Sequence, residues 1–296
     1  THAAGVLITA EPAVHFVPLQ TNEDVVTTQF PMGIIGKLGL LKMDFLGLRT
    51  LTVIRDTLDL MRSQGVNMKP EDIPMDDPAI YQMISQGDTD GVFQLESGGM
   101  RTFLTNMQPE NFEDIIAAIS LYRPGPMESI PRYIAGKRDP ASVHYETPQL
   151  APILDVTYGC MVYQEQVMQI VRDLAGYSYG RSDLVRRAMA KKKKDVMAAE
   201  RKNFVYGSEK EHVPGAVNRG VPAAVAEHIF DEMTAFASYA FNKAHAACYA
   251  VVAVQTGWLK YYYPAEFMAA MMNSVVDLPA PLPPMMVTKS PSLRCR

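Results

Sequence analysis

From Lys243 to Tyr262 the chain reads KAHAACYAVVAVQTGWLKYY, a long and largely apolar stretch that ends just before Pro264. Its length and composition predict one helix over these residues, and the proline sets where that helix stops. A helix apolar around most of its circumference cannot lie on a surface, so its burial makes it the core of whatever body contains it. The polar residues Lys243 and His245 stand at its entrance, where a histidine can be a hydrogen-bonded structural residue or a ligand contact. Partners for this helix are legible elsewhere. Phe112 to Leu121 is apolar-periodic and stops before Arg123-Pro124-Gly125-Pro126, and Val162 to Ala175 places Val167, Ile170, Val171 and Leu174 on one side. Pro222 suits the first turn of a helix over Ala223 to Phe236, and Arg49 to Arg62 carries Leu51, Ile54, Leu58 and Met61 at helical spacing.

Residues 1 to 55 otherwise mix short apolar segments with turn residues, so strands are expected at Gly5 to Ile8 and His15 to Leu19. They lead to GLLKMDFLGL, where an extended chain puts Lys42, Asp44 and Leu46 on one face and Met43 and Phe45 on the other. A lysine and a carboxylate thus point the same way from an otherwise apolar strand. Two readings are open: a local ion pair at a strand end, or a carboxylate that holds a hard metal ion beside a phosphate-binding lysine.

Positive charge is concentrated although the whole chain carries a net charge of −4. In Gly180 to Lys202, GRSDLVRRAMAKKKKDVMAAERK, nine basic residues face only Asp183, Asp195 and Glu200. At 100° per residue Leu184, Val185, Ala188, Met189 and Val196 share one arc, Arg187, Lys191 and Lys194 a second, and Arg186 and Lys193 a third. This predicts one amphipathic helix, capped by Ser182 with Asp183 at the positive end of its dipole, that docks its apolar arc and offers its cations to a polyanion. A solvated lysine face is the plainer alternative.

With 48% hydrophobic and 20% charged residues the composition is that of an ordinary globular chain and names no function. Cys160, Cys248 and Cys295 match no metal-ligand spacing, which predicts structural free thiols in a reducing compartment. No uninterrupted apolar run approaches the ~20 residues of a membrane span, and Thr1-His2 opens without a signal peptide or an initiator methionine, so a fragment is expected. Gly87-Asp88-Thr89-Asp90-Gly91 lacks the spacing and the distal glutamate of an EF-hand and reads as a turn braced by its aspartates. Arg123, held extended by the following proline, aims its guanidinium either at phosphate or at a neighbouring carboxylate. The 19 methionines sit mostly among apolar residues and suit plastic core packing.

The segment KMDFLGLRTL resembles the third catalytic-aspartate motif of the bacterial C-family replicative DNA polymerases, the DNA polymerase III alpha-subunit family. Further matches follow in family order: GDTDGVFQLES from Gly87, SLYRPGP from Ser120, YGCMVYQEQ from Tyr158, FNKAHA from Phe241 and YPAEFM from Tyr263. The resemblance covers residues 1 to 276. It implies an α+β chain, with a small mixed β-rich palm remnant at 1–50, a predominantly α-helical fingers domain at 51–276, and an off-pattern, proline-rich tail at 277–296 that is expected to be disordered.

The chemistry so implied is template-directed nucleotidyl transfer from a deoxynucleoside triphosphate to a primer 3′ hydroxyl, assisted by two Mg2+ ions. Asp44 would be a metal-binding catalytic carboxylate and Lys42 would neutralise developing phosphate charge. Arg186 and Arg187 would grip the triphosphate, Lys191, Lys193 and Lys194 would extend that field, and Arg123, Lys243 and His245 would be further nucleotide or phosphate contacts. The family's other two catalytic aspartates lie on a strand upstream of this sequence, so the fragment alone is expected to be inactive. Primer-template DNA would be its partner, with the sliding clamp and other replisome subunits in the intact protein, no membrane, and a cytoplasmic, nucleoid-associated location. The alternative is a non-catalytic module whose basic fingers hold nucleotide or nucleic acid by charge alone.

Overall fold

The computed structural model describes residues 5–22, 24–190, 194–237 and 239–276. The expected tail over 277–296, including Cys295, lies outside them, as do Lys191 and Lys193. The described residues are predominantly helical with two small antiparallel sheets, the α+β composition expected from the sequence. They divide into two compact units, residues 5–53 with 269–276, and residues 54–268. No described helix is long and apolar enough to cross a membrane.

In the first unit β1 (Gly5–Ile8) pairs with β4 (Leu41–Asp44), bringing Gly5 opposite Asp44 and Leu7 opposite Lys42. A second ribbon joins β2 (Leu19–Asn22) to β3 (Val25–Thr28). The strand expected over His15 to Leu19 is instead a 3-10 turn at Ala13–His15 followed by a strand that starts at Leu19. The cause is local: the His15 and Phe16 amides turn back onto the Pro12 and Ala13 carbonyls, and Val17 is buried, so alternation over these residues does not reflect an extended chain. The alternation read through Leu46 also ends early, since β4 stops at Asp44 and both Phe45 and Leu46 lie exposed beyond it.

The second unit is built around the helix Lys243–Tyr262. Ala246, Ala250 and the run Val252 to Leu259 are buried, and the helix packs against Phe112–Leu121 and Pro78–Ser85. Gly257 permits the second contact, because a Cβ there would stand 3.1 Å from Ile80 Cγ2. Polar groups along the helix are satisfied inside the core: Thr256 Oγ1 accepts from the Phe93 amide at 3.0 Å and Gln255 donates to the Pro70 carbonyl at 3.0 Å. Lys260 near the far end bonds the Asp88 carbonyl and carboxylate. The Gly87–Gly91 turn is therefore tied outward by its aspartates, Asp88 to Lys260 and Asp90 to Arg101, while its internal brace is the buried Thr89 hydroxyl on the Leu95 carbonyl.

A second core gathers the helices Gln164–Ala175, Tyr179–Ala190, Lys194–Tyr206 and Ala223–Phe236 around Phe204 and Phe230, whose rings lie 5.4 Å apart. Here the single amphipathic helix expected over Gly180 to Lys202 gives way to two. Arg181 Nη2 bonds Glu200 Oε1 at 2.7 Å, and the Tyr177 hydroxyl bonds Glu200 Oε2 at 2.8 Å. Along one straight helix nineteen residues would separate that pair by about 28 Å, so the two helices must lie side by side. The apolar arc changes accordingly: Val185, Ala188 and Met189 are buried, whereas Leu184 and Val196 are exposed. The cap also shifts. Ser178 Oγ accepts from the Arg181 amide, and Ser182 is a buried interior residue that donates to the Ser178 carbonyl.

The two described thiols differ in kind. Cys160 is buried, and that burial pushes its thiol up to about 11, while Cys248 on the core helix is exposed rather than structural. Since the thiolate is the nucleophile, peptide mapping after brief alkylation near pH 8 is expected to find Cys248 modified and Cys160 slower by roughly a hundredfold or more. Comparable rates for the two would contradict this packing.

Candidate functional site

In the first unit Lys42 Nζ lies 2.6 Å from Asp44 Oδ1, and the lysine side chain is half as exposed as the carboxylate, 21% against 43%. Residues two apart on β4 share a face, so the strand itself makes this pair. The shared face read from sequence is thus present. Among the described residues Asp44 belongs to no group of three ligand-bearing side chains.

In the second unit a short parallel bridge between Tyr163 and Phe241 organises four of the expected contacts. The Gln164 amide donates to the Phe241 carbonyl at 2.9 Å, and the Phe241 amide to the Val162 carbonyl at 3.3 Å. This bridge is held by local hydrogen bonds: buried Gln166 accepts from the Val162 and Tyr163 amides, each at 2.9 Å, and donates to Thr157 Oγ1 at 2.7 Å. Next to it, Glu165 closes the N-terminus of the core helix. Its carboxylate accepts from Asn242 Nδ2 and from the Lys243 amide, each at 3.1 Å, while Asn242 Oδ1 caps the His245 amide at 2.8 Å.

Each cation at this junction has an assigned neighbour. Lys243 Nζ pairs with Glu113 at 2.9 Å and stands 5.3 Å over the ring of Tyr163, a fully buried tyrosine whose hydroxyl has no hydrogen-bond partner. Burial, with Glu113, Asp114 and Glu165 nearby, pushes that hydroxyl's pKa upward. Arg123 lies 4.1 Å over the Phe241 ring and donates from Nη2 to the Tyr239 carbonyl, and burial lowers its pKa. Among the described residues it meets no carboxylate, one of the two targets expected for it. Gly125, at φ +98°, lets this turn close against the Tyr239 ring, which a Cβ would strike. His245 is exposed, with its ring 5.4 Å from Phe241 and 4.3 Å from Tyr249.

Arg186 reaches the same bridge by donating to Gln164 Oε1 at 3.0 Å, and Asp183 Oδ1 accepts from its Nε and Nη2 at 3.0 and 2.7 Å. Asp183 Oδ2 meets Arg187 Nε at 2.7 Å. The two arginines then differ sharply, 20% exposed for Arg186 and 62% for Arg187. Of Lys194 the backbone alone is described, as the first residue of its helix. Arg123, Arg186, Lys243 and His245 are thus brought together around one bridge, while Arg187 stands outward from it.

The sequence reading did not single out Glu113, Tyr163, Gln164 or Glu165. Asp183 was legible, because it precedes Arg186 and Arg187 by three and four residues, the spacing at which helical side chains meet.

A family model described as the bacterial DNA polymerase III alpha subunit finger domain matches residues 50–212, more than half of the 296. The chain belongs to the bacterial DNA polymerase III alpha-subunit family. A second model, described as the alpha subunit's NTPase domain, matches residues 1–47. The DNA polymerase III subunit alpha of Thermus aquaticus is 49% identical over 279 residues, which cover 92% of this chain and 22% of that protein. The subunit alpha of Staphylococcus aureus strain Mu50 is 44% identical over 277 residues, 93% of this chain and 25% of its own length. The chain therefore spans about a quarter of the alpha subunits it matches. Its bridge segments fall in two of the motifs that carried the resemblance, YGCMVYQEQ and FNKAHA.

The Arg186 hydrogen bonds, ahead of the nearby positive charges, hold the Asp183 carboxyl below its ordinary value. A depressed folded-state pKa means that the clamp's contribution is present above the unfolded value of about 3.9 and is lost as pH falls through the folded value. Carboxyl-detected NMR is expected to show Asp183 titrating below that reference, and Arg186→Ala should move its midpoint back up. A midpoint unmoved by the substitution would remove the clamp.

Proposed function

We propose that this chain is the part of a replicative DNA polymerase that runs from the end of the palm, residues 1–50, through the fingers, 51–276. On this reading it serves template-directed transfer of a nucleotidyl group from a deoxynucleoside triphosphate to a primer 3′ hydroxyl. The observation that supports it most is the convergence of Arg123, Arg186, Lys243 and His245, from three separated segments, on the Tyr163–Phe241 bridge. A site for a triphosphate needs several cations held at fixed spacing, and this bridge fixes them. Arg186 is the gripping residue, because Gln164 and Asp183 orient it. Arg187, more exposed, with Lys191, Lys193 and Lys194, contributes longer-range field to the same phosphates or to the DNA backbone.

The palm assignment of the first unit has its own support. A two-stranded ribbon is marginally stable alone, and β4 leaves Leu41 and Met43 exposed beside the exposed Phe45 and Leu46. Such a surface suits continuation of the sheet by other parts of the polymerase. Asp44 offers the hard oxygen donor that magnesium takes, and the remaining carboxylates would come from elsewhere in the alpha subunit. Two Mg2+ ions, when bound, would lower the pKa of the attacking hydroxyl and stabilise charge on the phosphorus. Lys42 orients Asp44 and places a cation next to the transferred phosphate. The proposed partners are primer-template DNA, the incoming deoxynucleotide and, for the whole polymerase, the sliding clamp and other replisome subunits at the nucleoid in the cytoplasm.

In the full-length alpha subunit, Asp44→Asn removes charge with little change of shape and is expected to lower turnover about a hundredfold or more with primer-template binding and circular dichroism unchanged. Near-normal turnover would reduce Asp44 to an ion-pair member. Arg186→Ala is expected to raise the apparent nucleotide KM, or slow incorporation, by about ten- to a hundredfold, the loss of one charge-assisted contact, and to do so more than Arg187→Ala. If both variants instead weakened duplex binding with a shallower salt dependence and ordinary nucleotide kinetics, the arginines would be DNA-backbone contacts.

A further inference from the structure

Away from the bridge, Glu146, His228 and Glu232 form the group among the described residues whose ligand atoms converge, all within 4.8 Å of one another. His228 and Glu232 are one turn apart on the Ala223–Phe236 helix and so project from the same face. Glu146 comes from a separate segment, next to buried Thr147, and meets His228 Nδ1 through Oε1 at 2.6 Å. The adjoining carboxylates do not compete for this place, since Asp231 is held by Arg201 at 2.9 and 3.0 Å and Glu227 by Arg201 and the Tyr206 hydroxyl. An imidazole and two carboxylates are the donor set of zinc-class divalent ions, and a helical pair one turn apart chelates without backbone strain. Donor atoms around a zinc ion at ~2.1 Å stand about 3.4 Å apart, so a 4.8 Å spread closes by small side-chain rotations. His228 is 60% and Glu146 30% exposed, which leaves room for those rotations and for a solvent ligand.

We propose that Glu146, His228 and Glu232 bind one divalent transition-metal ion of the zinc class and so clip the Glu146 segment to the Ala223–Phe236 helix. The site is independent of the polymerase reading: it uses none of the residues assigned to nucleotide, and its imidazole sets it apart from the all-oxygen set that suits magnesium.

The test uses the whole chain with Cys248→Ser and Cys295→Ser, so that neither thiol contributes. After chelator treatment, Zn2+ alone is titrated by calorimetry, and Co2+ is followed by its visible absorption. One ion per chain at micromolar affinity is expected, with a rise in Tm. His228→Gln, which can still hydrogen-bond Glu146, and Glu232→Gln should each weaken binding tenfold or more, while Glu227→Gln on the same helix should not. Circular dichroism of each variant establishes that it is folded. Absence of binding below millimolar Zn2+, or equal affinity in the parent and both ligand variants, would overturn the proposal and leave Glu146–His228 an ordinary ion pair.

Discussion

The Glu165 carboxylate at the N-terminus of the buried core helix is the contact on which the second unit's arrangement turns. The first amides of any helix lack partners within it, and at this exposed entrance side chains supply two of them. Glu165 and Asn242 together meet that need, and Glu165 can do so only because the Tyr163–Phe241 bridge brings its helix alongside. Once that junction is made, the geometry of the cations follows. Gln164 presents its amide oxygen to Arg186, Phe241 presents its ring to Arg123, and Tyr163 lies beneath Lys243. One polar requirement of helix formation thereby fixes four functional candidates drawn from sequence positions up to 122 residues apart.

What the sequence made legible was whatever depended on periodicity. The bounds of Phe112–Leu121, Ala223–Phe236 and Lys243–Tyr262 follow from apolar spacing and prolines, and Val167, Ile170, Val171 and Leu174 are all buried as a single face requires. Periodicity failed where tertiary contacts decide. Nothing local in Gly180 to Lys202 announces that Glu200 must turn back to Arg181 and Tyr177, and a wheel drawn through both helices therefore placed exposed Leu184 and Val196 on a buried arc. The candidate site was read as a list of cations, and four of them gather at the bridge. Their partners were harder to see, because Glu113, Gln164 and Glu165 acquire meaning only through residues distant in the chain. Motif resemblance supplied the grouping that spacing could not.

The pairing of these cations bears on how they can act. Lys42, Arg186 and Lys243 each have a carboxylate within 3 Å, so these three candidate contacts are already paired in the fold. Such pairing would be a poor way to attract a polyanion from a distance, but a good way to hold a flexible side chain in one rotamer. For the nucleotide reading this distinction matters. A guanidinium already fixed by Asp183 and Gln164 loses little conformational freedom on meeting phosphate, and its unused N–H groups point where the bridge directs them. Arg187 shares the same aspartate yet remains mostly exposed, so its charge is available to solvent and to any phosphate that approaches. Asp183 therefore divides labour between two adjacent arginines, orienting one and merely tethering the other, and the inequality expected of them has its origin in that single carboxylate.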